Sequence, residues 1–203
     1  MEYWNSTLTE KSWKIMQDLK GFRYVLIGGW AAYLWTRVHK SKDIDIVLPD
    51  ISELEHLKNN YELKKNDHLK KYEIQIEEID IDIYVPYFSK LSIPVNDIPK
   101  HTASVQGITV VLPEVLLILK QGAEEQREHS VKGEKDRVDI MTLLCFAGIN
   151  MNRYYDLTRQ YGLEDYPDRI RRIIRSFNEI RYIDLTPRQM KLKKKELLSA
   201  LRF

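Results

Sequence analysis

With 203 residues, 43% of them hydrophobic and 31% charged, the chain can bury one ordinary core or two small lobes, and its composition is that of a soluble protein. One cysteine, Cys145, excludes an intramolecular disulfide and suits a reducing cytoplasm, where the chain is expected to reside. The formal net charge of +2 is uneven: ten Lys/Arg against three Asp/Glu between Arg171 and Phe203 give that end +7 and leave the rest at −5.

Met1-Glu2-Tyr3-Trp4-Asn5 lacks the basic start and apolar core of a signal peptide. Thr7-x-x-Glu10 reads as a capping box opening a helix that runs to about Leu19. Tyr24–Ile27 reads as the first strand, Ala31–Arg37 as a helix in which Trp30 and Trp35 pack against the sheet, and Asp43–Leu48 as the second strand. The uncharged run from Tyr24 to Trp35 is too short to span a membrane, so no membrane partner is expected. Asp50 or Ser52 caps a short helix to about Leu57. Tyr72–Glu77 and Ile79–Val85 alternate as half-buried strands, and Pro86 stops the second of them. Ile108–Leu112 is one more strand.

From Pro113 the apolar period changes from two to about 3.6. Helices are expected from Pro113, over Glu134–Ala147, over Met151–Tyr161, along the stripe Ile170, Ile173, Ile174, Phe177 and Ile180, and from Thr186-Pro187 onward. Cys145 falls in the apolar run Met141–Ala147 and reads as an inert thiol. The expected architecture is α/β (α+β): a small mixed β-sheet lobe over residues 1–112, then a helical lobe over 113–203.

The chemistry concentrates between Tyr24 and Leu48. On a strand, residues two apart share a face, so Asp43 and Asp45 project together, and two such carboxylates call for a cation. Mg²⁺, with Mn²⁺ as the alternative, takes one or two carboxylates and completes its shell with water and substrate phosphates. Gly28-Gly29 lets backbone approach those phosphates. A phosphate cradle beside a metal clamp points to nucleotidyl transfer. A third carboxylate is offered by Asp82, with Asp80 in reserve.

These residues resemble the minimal nucleotidyltransferase superfamily, which shares its core with DNA polymerase β. The matching pattern is Ile27-Gly28-Gly29, thirteen residues, then Asp43-Ile44-Asp45-Ile46, with a carboxylate on a third strand. The resemblance implies an NTP substrate, Asp43, Asp45 and Asp82 as metal ligands, Asp82 also as base for the acceptor hydroxyl, and Gly28 and Gly29 against the phosphates. A narrower resemblance is to toxins of the abortive-infection AbiEii type, through Leu116-Leu117-Ile118-Leu119-Lys120 and Lys135-Asp136-Arg137-Val138-Asp139. It implies Lys120 on the triphosphate, Asp136 orienting that lysine or the nucleotide, and Ser41, with Lys42 beside it, in the nucleotide site. It also implies a cognate antitoxin or toxin partner. His39 stands where such toxins carry Arg, and Gly29 where Ser is frequent.

Left open are the acceptor (an RNA or tRNA end, a protein hydroxyl or a small molecule) and a non-catalytic alternative, a nucleotide- or protein-binding component of a toxin–antitoxin or regulatory complex. Basic helices from Arg169 to Arg202 could follow an RNA backbone, or simply face solvent. Asp136 and Asp139, three apart on one helix, could also do no more than pair with Lys135 or Arg137, a contact of little energetic value.

Overall fold

Val25, Leu26 and Ile27 are all buried, as a strand inside a layered sheet requires. They form β1 (Val25–Ile27), an interior strand of a seven-stranded sheet in a computed structural model that describes residues 6–201. The chain divides into two compact units, Met1–Leu112 and Pro113–Phe203.

In the first unit, α1 (Ser6–Asp18) precedes β1, and α2 (Gly28–Thr36) follows it directly. Then come β2 (Ile44–Val47), α3 (Ser52–Asn60), β3 (Lys64–Asn66), β4 (Lys71–Ile76), β5 (Ile79–Tyr84), β6 (Thr102–Val105) and β7 (Ile108–Val111). The strand order is β3-β4-β5-β2-β1-β7-β6. β2 runs antiparallel to β1 and parallel to β5, while β7 runs parallel to β1, so the sheet is mixed. The buried isoleucines of β2 and β5 (Ile44, Ile46, Ile81, Ile83) hold one face of the sheet, which leaves the intervening aspartates on the other.

Trp30 is fully buried, 5.1 Å from Trp13 between ring centroids, and donates from Nε1 to Ser12 Oγ at 2.8 Å. Trp35 donates to the Val111 carbonyl at 2.9 Å. Trp30 therefore joins α2 to α1, and Trp35 fastens α2 to β7 of the sheet.

The second unit is helical: α4 (Pro113–Gln126), α5 (Val131–Phe146), α6 (Met151–Gln160), α7 (Tyr166–Ser176) and α8 (Pro187–Ala200). Thr186 closes the capping box of α8 with Gln189. Among the described residues no helix is long and apolar enough to cross a membrane.

The structure departs from the sequence reading at several ends. Thr7 lies within α1, not at its cap. α2 begins three residues early because Gly28, at φ +68°, turns the chain from strand to helix with no loop. α5 begins at Val131, where Ser130 accepts from the Gly133 amide. The α7 stripe stops at Ser176, and Ile180 falls in a separate 3-10 turn. β3 is a polar edge strand, and β6 is joined to β7 through Gln106-Gly107, both at positive φ, the backbone a tight hairpin needs.

Candidate active site

β2 and β5 pair in parallel with Asp45 opposite Asp82, so the two carboxylates stand side by side. The row continues across β4, where Glu73 is opposite Asp82, and reaches Lys64 of β3 opposite Glu73. Burial, and after it the Asp45 charge, pushes the Asp82 carboxyl up to about 6. Asp80, two residues earlier on the same face, is exposed and opposite Gln75. Adjacency to Asp45 thus belongs to Asp82, not to Asp80.

Asp43 sits on the bend before β2, two residues ahead of Asp45. Its Oδ1 is buried with no hydrogen-bond partner. An unsatisfied buried acceptor costs about 1–3 kcal/mol, and more when charged.

The Gly-Gly turn is dictated by what lies against it. A Cβ on Gly28 would fall 2.0 Å from Asp45 Oδ2, so the carboxylate occupies the space a side chain would need. A Cβ on Gly29 would fall 2.6 Å from Ser41 Oγ. Ser41 is buried, and its hydroxyl thus stands beside Gly29. The N-cap of α2, Ile27, offers no side-chain bond to the first amides of this helix. Lys42 is half-buried on the bend between Ser41 and Asp43.

A lysine that sequence reasoning missed completes this cluster. Lys71 of β4 places its Nζ 2.6 Å from Asp82 Oδ2 and 3.0 Å from Glu73 Oε1. Glu73 also accepts from Asn66 Nδ2 at 2.9 Å. Burial opposes the Lys71 ammonium, but its bonds to Asp82 and Glu73 outweigh that and raise its pKa. The signal was Lys71-x-Glu73 at strand spacing beside Asp80-x-Asp82, legible only once β4 and β5 are known to pair.

Among the described residues, no three His, Cys, Asp or Glu side chains form a group that could hold a metal ion. The donors present still suit a hard divalent cation. Asp43 brings an orphaned buried oxygen and Asp45 lies against Gly28, and two carboxylates suffice for Mg²⁺ when phosphates and water complete its shell.

Lys120 and Asp136 lie in the second unit, within a buried ionic network. Lys120 of α4 is 2.6 Å from Asp139 Oδ2 and 3.6 Å from Asp136 Oδ1 on α5. Asp136 is gripped by Arg127, whose Nε and Nη2 donate at 2.6 and 3.0 Å. The closer partner of Lys120 is therefore Asp139, which the sequence reading had set against Lys135 or Arg137. Arg137 instead reaches Glu124 at 2.8 Å. The basic C-terminal side chains are partly spent inside the same unit. Arg169 is buried on Glu124 at 2.6 Å, Arg171 bonds the Leu201 carbonyl, and Lys194 donates to the Phe177 carbonyl at 2.5 Å, while Arg202 lies outside the described residues. Cys145 is half-buried, and burial pushes its thiol up to about 11, consistent with an inert group.

No protein-family model matches the sequence, and no curated protein matches it. Solved structures do. JHP933 from Helicobacter pylori aligns with TM-score 0.53 at 17% identity over 98% of this chain and 93% of its own. An H. pylori protein provisionally described as a nucleotidyltransferase aligns with TM-score 0.51 at 16% identity, over 95% and 92%. The Megavirus polyadenylate synthase aligns with TM-score 0.51 at 18% identity over 70% of this chain, which spans about a third (32%) of that enzyme's length. At these identities the likeness is one of fold, and the fold is that of nucleotidyltransferase-like proteins.

Proposed function

We propose that the chain is a metal-dependent nucleotidyltransferase, moving an NMP group from an NTP to a hydroxyl acceptor with release of pyrophosphate. The observation that carries this is the joint placement of Asp45 against the Gly28 turn and in register with Asp82, two residues from an Asp43 oxygen that has no partner.

Asp43 and Asp45 would hold the divalent ion, Mg²⁺ or Mn²⁺. When bound, that ion supplies charge neutralisation for the triphosphate. The amides at the start of α2 and the Ser41 hydroxyl receive phosphate oxygens, positioning the α-phosphorus. Asp82 accepts the proton of the acceptor hydroxyl as its oxygen bonds the α-phosphorus. The bond from that phosphorus to the bridging oxygen breaks, and the electron pair leaves with pyrophosphate. A carboxyl pushed up to about 6 is ionised at neutral pH and more basic than an ordinary aspartate, as this role requires. Lys120 and Asp136 are assigned to the triphosphate on the resemblance, and the toxin-type partner rests on the same ground.

The test is pyrophosphate release from each of the four NTPs with Mg²⁺ and a cellular RNA or protein fraction as acceptor. Asp43→Ala/Asp45→Ala should abolish it and leave the circular-dichroism spectrum unchanged. Full activity in that double variant would sink the assignment. NTP binding without transfer in any fraction would favour the non-catalytic reading.

A further inference from the structure

Two metal ions bridged by three carboxylates are the usual apparatus of nucleotidyl transfer, yet one oxygen of the third carboxylate is already taken here by an ammonium group. Lys71 Nζ lies 2.6 Å from Asp82 Oδ2 and 3.0 Å from Glu73 Oε1. We infer that Lys71 is the resident second cation of this cluster, so that the site takes a single divalent ion, at Asp43 and Asp45. The inference rests on the nucleotidyl-transfer reading and deepens it, by fixing how many metal ions the site holds.

The lysine is placed by backbone, not by chance side-chain reach. β4 pairs antiparallel with β5, Glu73 stands opposite Asp82, and Lys71, two residues from Glu73, shares its face. The ammonium is held from a second side by Glu73, which is itself fixed by Asn66 Nδ2 at 2.9 Å. Only 12% of the lysine side chain is exposed. Lysines do guard sheet edges against pairing with other chains, but the edge here is β3, and β4 is an interior strand, so edge protection does not account for Lys71.

Sterics decide the count. A Mg²⁺ ion would need to sit about 2.0–2.1 Å from its carboxylate oxygens. An ammonium bonded to Asp82 Oδ2 from the Glu73 side competes for that oxygen. Asp43, by contrast, keeps a buried oxygen without a partner. A point charge on a flexible stem also suits the station, because an ammonium has three donors to share between two carboxylates.

The experiment counts ions without turnover. Bound Mn²⁺ is measured by electron paramagnetic resonance in protein saturated with each of the four α,β-methylene nucleoside triphosphates. Wild type should bind one Mn²⁺ per chain, Lys71→Met two, and Lys71→Met/Asp82→Asn one again. Two ions in wild type, or one in a folded Lys71→Met, overturns the inference and leaves the transferase reading standing. If Lys71→Met does not fold, the wild-type count decides alone. No bound Mn²⁺ at all would remove the transferase reading and the inference together.

Discussion

At the scale of single residues, the glycine pair is explained by its neighbours. Gly28 yields its side-chain space to the Asp45 carboxylate, and Gly29 yields its own to the Ser41 hydroxyl. Ser41 thus holds a hydroxyl beside Gly29. Ser41→Ala should raise the KM for NTP about fivefold, the worth of one hydrogen bond, with little change in kcat. Gly29→Ser should impair the enzyme by colliding with Ser41, and Gly29→Ser/Ser41→Gly should recover much of the loss. A double variant no better than Gly29→Ser would contradict the exchange.

Asp82 gives a second prediction at this scale. Its folded pKa, about 6, lies above the ordinary 3.8, so the folded protein holds this proton more tightly than the unfolded chain. Its contribution to metal-free stability is therefore best below about pH 4 and declines as pH rises towards 6, by up to roughly 3 kcal/mol. Asp82→Asn lacks this titration. Urea melts of the metal-free proteins should show the stability of Asp82→Asn relative to wild type rising between pH 4.5 and 7. A flat difference would mean that Asp82 is not perturbed.

At the scale of elements, α4, α5 and α7 are joined by ions buried between them. Glu124, with 2% of its side chain exposed, binds Arg137 of α5 and Arg169 of α7. Buried pairs add little when intact, but removing one partner strands the others. Glu124→Ala should cost about 3–5 kcal/mol in urea unfolding, far more than removal of an exposed pair such as Lys193–Glu196. Equal, small effects would show that the network is hydrated.

These elements also show what the sequence made legible. The strands carrying Asp45 and Asp82 could be read because Ile alternates with Asp along β2 and β5. β3 could not, since Lys64-Lys65-Asn66 has no apolar partner pattern and pairs only because β4 lies beside it. Lys71, and the pairing of Asp139 with Lys120, were illegible for a related reason. Each is defined by a contact across elements, β4 to β5 and α5 to α4, and periodicity within one element says nothing about register.

At the scale of the whole molecule, the fold aligns with solved nucleotidyltransferase-like structures at 16–18% identity. At such divergence the fold persists because a buried strand asks only for apolar residues of suitable size, whereas chemistry asks for particular side chains. The apolar runs of β1, β2 and β5 meet the first demand, and under the proposed function Gly28, Asp43, Asp45 and Asp82 would meet the second.

The most direct measurement is a paired label-transfer assay, with α-labelled and γ-labelled forms of each NTP offered in parallel with Mg²⁺ and a cellular RNA or protein fraction. Nucleotidyl transfer requires the α-label to enter the acceptor fraction and the γ-label to leave as pyrophosphate, both lost in Asp43→Ala/Asp45→Ala. Transfer of the γ-label, or α-transfer that survives in the double variant, would contradict the account.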